Sequence, residues 1–154
     1  MKYESGRSMI EMLGVLTIMG VITAVAIGAI LTATRMQKRN TVNEEVLQIV
    51  SQVRQLLGEY DDFSHIDNTT IFGAIGMSAK NPYGGTYELA VDPANSRQFV
   101  VTINGLSQGD CEYFITKAWS DSVEYLATDG KQSGASGNCR MEDGKNVVKI
   151  TYGE

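Results

Sequence analysis

Apolar residues fill the first part of the chain almost without interruption. No charged side chain occurs from Met12 to Leu31, and about 20 such residues are what an α-helix needs to cross a bilayer. One carboxylate, Glu11, lies at the N-terminal edge of this run. A carboxylate there costs on the order of 1–3 kcal/mol and usually has a partner or a function. The pattern predicts a membrane-spanning helix with a functional charge at its start.

Beyond this run the pattern becomes amphipathic. Apolar residues recur at steps of three and four, namely at Val42, Val46, Ile49, Val50, Val53, Leu56, Leu57 and Tyr60. This spacing predicts that the helix continues, over about residues 8–59, with one apolar stripe packed against a folded domain. A separate helix that begins at a capping box, Thr41-x-x-Glu44, is the alternative.

The middle of the chain predicts an antiparallel hairpin. Residues 63–85 have no clear period and read as an irregular connection, which ends in the turn N-P-Y-G-G at 81–85. Alternating apolar and polar residues then predict strands at 86–91 and 98–103. The loop between them would hold about five residues, 92–96.

The last third predicts a second helix and a closing strand. Ser107-x-x-Asp110 is an N-cap pair, and the helix that it starts could extend as far as Tyr125. The glycine-rich residues 130–138 read as a loop, and residues 147–152 read as a strand. The predicted fold is therefore α+β, a long N-terminal helix packed on a small antiparallel sheet with a second short helix.

Charge and composition argue against several classes of function. The 154 residues carry a formal net charge of -5, which argues against nucleic-acid binding by bulk electrostatics. His65 is the only histidine, so a Ser-His or Cys-His catalytic pair is not easily built. The sequence has no CxxC motif, metal-ligand cluster or phosphate-binding loop. We therefore expect neither an enzyme nor a cofactor.

An acidic stretch follows the predicted long helix. Asp61, Asp62 and Asp67 lie close together in the sequence, and calcium takes several oxygen ligands of this kind. A solvated acidic loop explains the same residues without a ligand. The sequence leaves both interpretations open and favours the loop.

The N-terminal pattern resembles that of type IV prepilins and type II secretion pseudopilins. The resemblance lies in Gly6, four residues, Glu11 and an unbroken apolar run, in which I-M-G-V-I-T-A-V-A-I at 18–27 is similar to the family's I-I-G-I-L-A-A-I-A-I. From Gly6 to about Gly28 the resemblance is one of sequence motif, and beyond Gly28 it is one of predicted architecture only. The stretch Gly105–Gln108 before a cysteine-bearing helix looks most like the type IVb branch.

The resemblance implies a role for three N-terminal residues. A prepilin peptidase would cut after Gly6, the new N-terminal amine of Arg7 would be methylated, and Glu11 would neutralise that amine on a neighbouring subunit. Opposite charges in a low-dielectric filament core favour each other. The chain would then consist of a leader (1–6), a membrane and assembly half-helix (7–34), an amphipathic half-helix (35–60) and a head (61–154).

The resemblance also implies partners and a location. The protein would be a structural pilin that lies in the bacterial inner membrane before assembly and in an extracellular pilus afterwards. Its partners would be other copies of itself, the prepilin peptidase, the inner-membrane assembly platform and the assembly ATPase. The runner-up is a pseudopilin, which would lie in a periplasmic pseudopilus.

Two features of the sequence give opposite predictions for the side of the membrane on which the C-terminal domain lies. The cluster Arg35, Lys38 and Arg39 favours a cytoplasmic C-terminal domain. The chain's two cysteines, Cys111 and Cys139, instead suggest a disulfide in an exported domain, where the family places the head. Such a bond would close a loop of about 29 residues and add roughly 3–4 kcal/mol. Two reduced thiols in a cytosolic domain are the alternative.

Two other interpretations do not need the family. A secretory signal peptide would have a shorter apolar core, although Thr32-Ala33-Thr34 could imitate its cleavage site. A single-pass anchor carrying a binding module fits the length of the apolar run. That protein would keep residues 1–6 and would not depend on Glu11.

Overall fold

The computed structural model describes residues 4–128, 139–142 and 144–153, with side chains described from Ser8 onward. The chain forms two compact units, Met1–Lys38 and Arg39–Glu154. From here on the head is this second unit, which includes residues 39–60 as well as the region 61–154 that the sequence assigns to the head. The elements are α1 (Glu4–Leu57), α2 (Asn68–Ile75), β1 (Tyr87–Asp92), β2 (Asn95–Leu106), α3 (Gln108–Thr116), β3 (Ser122–Thr128) and β4 (Asn146–Gly153). This is the predicted α+β, pilin-like layout.

The head is built on one antiparallel sheet. Its four strands lie in the order β1-β2-β4-β3, and all three pairings are antiparallel. Val101 of β2 pairs with Leu89 of β1 on one side and with Ile150 of β4 on the other. The strand predicted at 147–152 lies within β4, and its side chains alternate, because Val148, Ile150 and Tyr152 are buried whereas Lys149 is exposed.

The predicted long helix is confirmed as a single element, α1. Its apolar stripe in the head, formed by Val42, Val46, Ile49, Val50, Val53 and Leu57, is buried against the sheet. No helix begins at Thr41, because the backbone there is already helical. Residues of the stripe are spaced at the 3.6-residue period, so each turn of α1 adds a side chain to the same core.

Two residues assigned to this stripe are exposed. Leu56 is 39% and Tyr60 is 55% exposed. A residue of an α-helix lies about 100° from its neighbour, so when Leu57 faces the core Leu56 does not. Tyr60 lies beyond the end of α1 and stacks on His65, with ring centroids 4.9 Å apart.

The prediction of an irregular connection at 63–85 was wrong, because it contains α2. Asp67 is the N-cap of this helix and accepts a hydrogen bond from the Thr70 backbone N–H, and Gly76 ends it in the left-handed conformation with φ 69°. These are standard start and stop signals. Asn68 also pairs with Leu89 of the edge strand β1, since its Nδ2 donates to the carbonyl (3.0 Å) and its Oδ1 accepts from the N–H (2.8 Å).

The predicted five-residue hairpin loop is also wrong. Strands β1 and β2 extend to Asp92 and Asn95, which pair with each other, so only Pro93 and Ala94 lie between them. The side chain of Asp92 accepts from the Ala94 N–H at 2.9 Å. Polar, exposed residues form this end of the ladder, and apolar alternation does not detect them.

The second helix is shorter than expected. Ser107 caps α3 as predicted, but the helix ends at Thr116 because Lys117 has an extended backbone. Residues as far as Tyr125 therefore do not continue it, and β3 forms there and pairs with β4. Pairing with a strand from the end of the chain is a long-range contact that local helix signals do not reveal. The predicted loop at 130–138 lies outside the described residues.

The turn at 81–85 is organised by one buried amide. Oδ1 of Asn81 accepts from the backbone N–H groups of Tyr83 and Gly85 at 3.0 Å each, and its Nδ2 donates to the carbonyl of Asn104 at 2.6 Å. A Cβ at Gly85 would lie 2.0 Å from that carbonyl oxygen. Gly85 is therefore required where the turn crosses the end of β2.

Candidate functional site

The first candidate site is the N-terminal half of α1. From Ser8 this helix contains a stretch that is apolar enough to cross a membrane, with a mean hydropathy of 2.4 and no part of it buried. Its large side chains, such as Met9, Val15 and Ile22, are 54–73% exposed. One long apolar N-terminal helix could therefore form a single membrane span.

Polar side chains within this stretch bind to their own helix. The hydroxyls of Thr17, Thr23, Thr32 and Thr34 each donate to the carbonyl four residues earlier, at 2.8–3.0 Å. In lipid every polar group needs a partner within the protein, and these threonines have one. Their contacts are compatible with a hydrocarbon surrounding.

Glu11 is the exception in this stretch. Its side chain is exposed, and within the described part of the chain it has no ion-pair partner. Gly6 and Arg7, the predicted processing residues, have helical backbone, and the side chain of Arg7 lies outside the described part. The predicted link between Glu11 and the amine of Arg7 is one between copies, and it stays a prediction.

The basic cluster divides at the boundary of the two units. Arg35 is exposed, whereas Arg39 is bound within the head. Its Nε lies 2.8 Å from Oδ1 of Asp110, and its guanidinium lies 4.3 Å from the ring centroid of Tyr113. One of the three positive charges that favour a cytoplasmic C-terminal domain is thus neutralised by a buried carboxylate.

Two further polar contacts join α1 to the head near Arg39. The Nζ of Lys117 donates to Oδ1 of Asn43 and lies 4.2 Å from the ring centroid of Trp119. Burial lowers the pKa of Lys117. The hydroxyl of Tyr87 donates to Oε2 of Glu45 at 2.5 Å. Apolar contacts have little directionality, so these pairs define the rotation and register of α1 in the head.

The predicted disulfide is present. Cys111 of α3 is bonded to Cys139, and their Cα atoms are 5.9 Å apart. Cys111 is fully buried. Among the residues that the structure describes there is no free cysteine, so the alternative of two reduced thiols does not describe this structure.

The acidic stretch is occupied by local hydrogen bonds. Asp62 accepts from the Ser64 N–H at 3.0 Å, and Asp67 accepts from the Thr70 N–H at 2.9 Å and its hydroxyl at 2.6 Å. Hydrogen bonds from the hydroxyl and the N–H of Ser64 lower the pKa of Asp62, and those from the hydroxyl and the N–H of Thr70 lower the pKa of Asp67. Within the described ranges no three His, Cys, Asp or Glu residues group in a way that could hold a metal ion.

The sequence did not reveal the residues that organise the head. Asn81, Asp110 and Asn146 are 6%, 5% and 3% exposed. Each combines local hydrogen bonds with one to a distant residue, namely Asn104, Arg39 and Leu106 respectively. Asp110 had a signal as part of the N-cap pair with Ser107, and Asn81 had one as the first residue of the turn at 81–85, whereas Asn146 had none. The contact of Asp110 with Arg39, 71 residues away, had no signal.

No protein-family model matches the chain, and a search of curated proteins likewise finds no match. The resemblance to prepilins therefore stays a matter of the residues Gly6 and Glu11 and of the apolar run. The fold has the α+β, pilin-like layout of a long N-terminal helix on a small antiparallel sheet.

Proposed function

We propose that the protein is a structural subunit that polymerises into a type IV pilus-like filament. The observation that carries this proposal is the apolar half of α1, which from Ser8 to Thr34 is exposed and contains one charge, Glu11, near its start. The same helix continues into the head, where its second half is a core element. Such a helix needs an apolar surrounding for its first half, whereas one face of its second half is already buried in the core of the head.

Two surroundings can cover this segment in turn. A bilayer covers it while the subunit is a single-pass membrane protein. Other copies of the same segment cover it in a filament, where parallel helices bury one another's apolar side chains. A filament subunit needs a helix that is apolar on all sides, but a simple membrane anchor has such a helix as well. Glu11 is therefore the feature that distinguishes a filament subunit from a simple anchor.

Glu11 would be costly to bury alone. An ionised carboxylate in a low-dielectric core needs a cation close by. Cleavage after Gly6 creates a new amine on Arg7, and in a stack of staggered helices that amine can approach Glu11 of a neighbouring copy. Prepilin peptidase would make the cut, and methylation would follow at Arg7. An inner-membrane platform and its ATPase would drive assembly.

The disulfide supports an extracytoplasmic head. Bonds of this kind persist in oxidising compartments, and Cys111–Cys139 lies in the head. This feature favours a head outside the cytoplasm.

The role of Glu11 is tested by a pair of carboxylate variants. Glu11→Ala should leave the subunit folded and membrane-inserted, while filaments sheared from the cell surface are lost. Glu44→Ala removes an exposed carboxylate from the same helix within the head and is the matched control, which should assemble normally. Wild-type filament numbers in Glu11→Ala would show that the carboxylate has no assembly role.

Processing is tested by mass. Gly6→Leu should retain residues 1–6, whereas the wild-type chain should begin at methylated Arg7. Intact mass should be measured in sheared material and in the membrane pellet. Processed chains found only in the pellet would favour the pseudopilin. Chains that keep Met1–Gly6 in a strain with active prepilin peptidase would contradict the pilin proposal and would support a membrane-anchored binding module.

A further inference from the structure

Each cysteine of the disulfide lies next to a buried polar residue that has contacts of its own. Asp110, which is 5% exposed, directly precedes Cys111. Asn146, which is 3% exposed, binds the segment that follows Cys139. Neither set of contacts involves a sulfur atom, so they do not require the bond.

The contacts of Asp110 hold the start of α3 on α1. Its Oδ1 accepts from Nε of Arg39 at 2.8 Å, and its Oδ2 accepts from the hydroxyl of Ser107 at 2.7 Å. The Nη2 of Arg39 also donates to the carbonyl of Gly109 at 3.3 Å. Both carboxylate oxygens are thus bound, and hydrogen bonds to a charged group are stronger than those between neutral groups.

The contacts of Asn146 hold the chain beside Cys139. Its Oδ1 accepts from the Arg140 N–H at 2.6 Å, and its Nδ2 lies within bonding distance of three carbonyls, those of Arg140 (3.1 Å), Glu142 (3.2 Å) and Leu106 (3.3 Å). Leu106 is the last residue of β2, immediately before the cap of α3. One amide therefore fastens the second cysteine's segment to the strand that leads to the first.

We propose that Asp110 and Asn146 are positioning residues for the disulfide, which hold the two thiols together in a head that is already folded. The Cα atoms of Cys111 and Cys139 are 5.9 Å apart, within the range that the bond allows. In bond formation the thiols lose two protons and two electrons. A small disulfide such as oxidised glutathione accepts them and is cleaved to two thiols.

Preorganisation of this kind has a measurable consequence. In an unfolded chain the two cysteines are separated by 28 positions, and a flexible tether of such length gives an effective thiol concentration in the millimolar range. Fixing both backbones removes that entropy cost before the bond forms. The reduced head should therefore be folded, and its effective thiol concentration should be well above that of the unfolded chain.

The test uses the full-length chain in detergent micelles, equilibrated with mixtures of reduced and oxidised glutathione. Free thiols are trapped by alkylation and counted by mass, and far-UV circular dichroism reports the fold. Asp110→Ala and Asn146→Ala should each lower the effective concentration by about tenfold, as expected for coupled neighbours. Arg54→Gln is the control, because its ion pair with Asp121, at 3.7 Å, is exposed and involves neither Asp110 nor Asn146; it should leave the value unchanged.

Milder variants keep the test informative if an alanine variant does not fold. Asp110→Asn can still accept from Arg39 and should retain most of the effective concentration, whereas Arg39→Gln should lose it. A contact that only stabilises the head would lower the urea midpoint equally in the reduced and oxidised proteins. An unfolded reduced wild type, or wild-type effective concentrations in Asp110→Asn and Arg39→Gln alike, would overturn the assignment.

Discussion

The hydroxyl of Tyr87 lies 2.5 Å from Oε2 of Glu45, and this hydrogen bond joins the edge strand β1 to helix α1. Tyr87 is 1% exposed. Burial raises the pKa of its hydroxyl, and the bond to Glu45 raises it further. The phenol therefore stays protonated and donates to the carboxylate. Another tyrosine of the sheet, Tyr152, is equally buried, but its hydroxyl has no hydrogen-bond partner among the described residues.

These two tyrosines should respond oppositely to loss of the hydroxyl. Tyr87→Phe should lower the free energy of unfolding by about 1.5–3 kcal/mol, because a bond to a charged group is lost. Tyr152→Phe removes a buried unsatisfied group and should raise it by about 1 kcal/mol. Urea unfolding followed by the fluorescence of Trp119, the only tryptophan, measures both. Equal losses in the two variants would contradict the assigned contacts.

A methyl group at Gly85 should not fit. The added Cβ would lie 2.0 Å from the carbonyl oxygen of Asn104 and 2.9 Å from Cα of Gly105, and backbone atoms cannot move aside cheaply. Gly85→Ala should cost roughly 1–3 kcal/mol or more. Gly73→Ala, in α2 with open space around its Cβ, is the control and should add roughly 0.5–1 kcal/mol. Thermal unfolding distinguishes them, and tolerance of Gly85→Ala would show that the backbones cross less closely.

The two faces of α1 in the head should differ in their contribution to stability. Ile49 is fully buried, whereas Leu47 is 44% exposed. Ile49→Ala should cost about 2–5 kcal/mol through lost burial and the cavity left behind. Leu47→Ala should stay within about 0.5 kcal/mol of the wild type. Urea midpoints measured in the same detergent test this, and a larger loss for Leu47→Ala would mean that the helix is rotated.

The cap of α2 should make stability depend on acid pH. Hydrogen bonds from the Thr70 hydroxyl and N–H hold the pKa of Asp67 below its ordinary value of 3.8. The stabilising contribution is therefore complete above 3.8 and is lost as the pH falls through the lower pKa of the folded state. Asp67→Asn caps without a charge. The stability difference between the two proteins should be constant from pH 7 to about 5 and should change only in strong acid.

Local signals predicted much of this protein correctly. The charge-free run from Met12 to Leu31 and the 3.6-residue stripe that follows it predict one long helix, because helix period and membrane length are properties of consecutive residues. The Ser107 cap and the alternation around Ile150 are local in the same sense. The start and stop signals of α2, Asp67 and Gly76, are also local, although the absence of a clear apolar period led to the prediction of an irregular connection there.

Long-range contacts decided the rest. The order of residues alone specifies an apolar half-helix with one carboxylate, an amphipathic half that must pack on a sheet, and two cysteines available for a bond. Residues 122–128 become a strand only through the folded sheet, since their partner β4 comes from the end of the chain. Only the tertiary structure paired Arg39 with Asp110 and placed Asn146 beside Cys139, because directional bonds between distant residues form when the apolar core has brought them together.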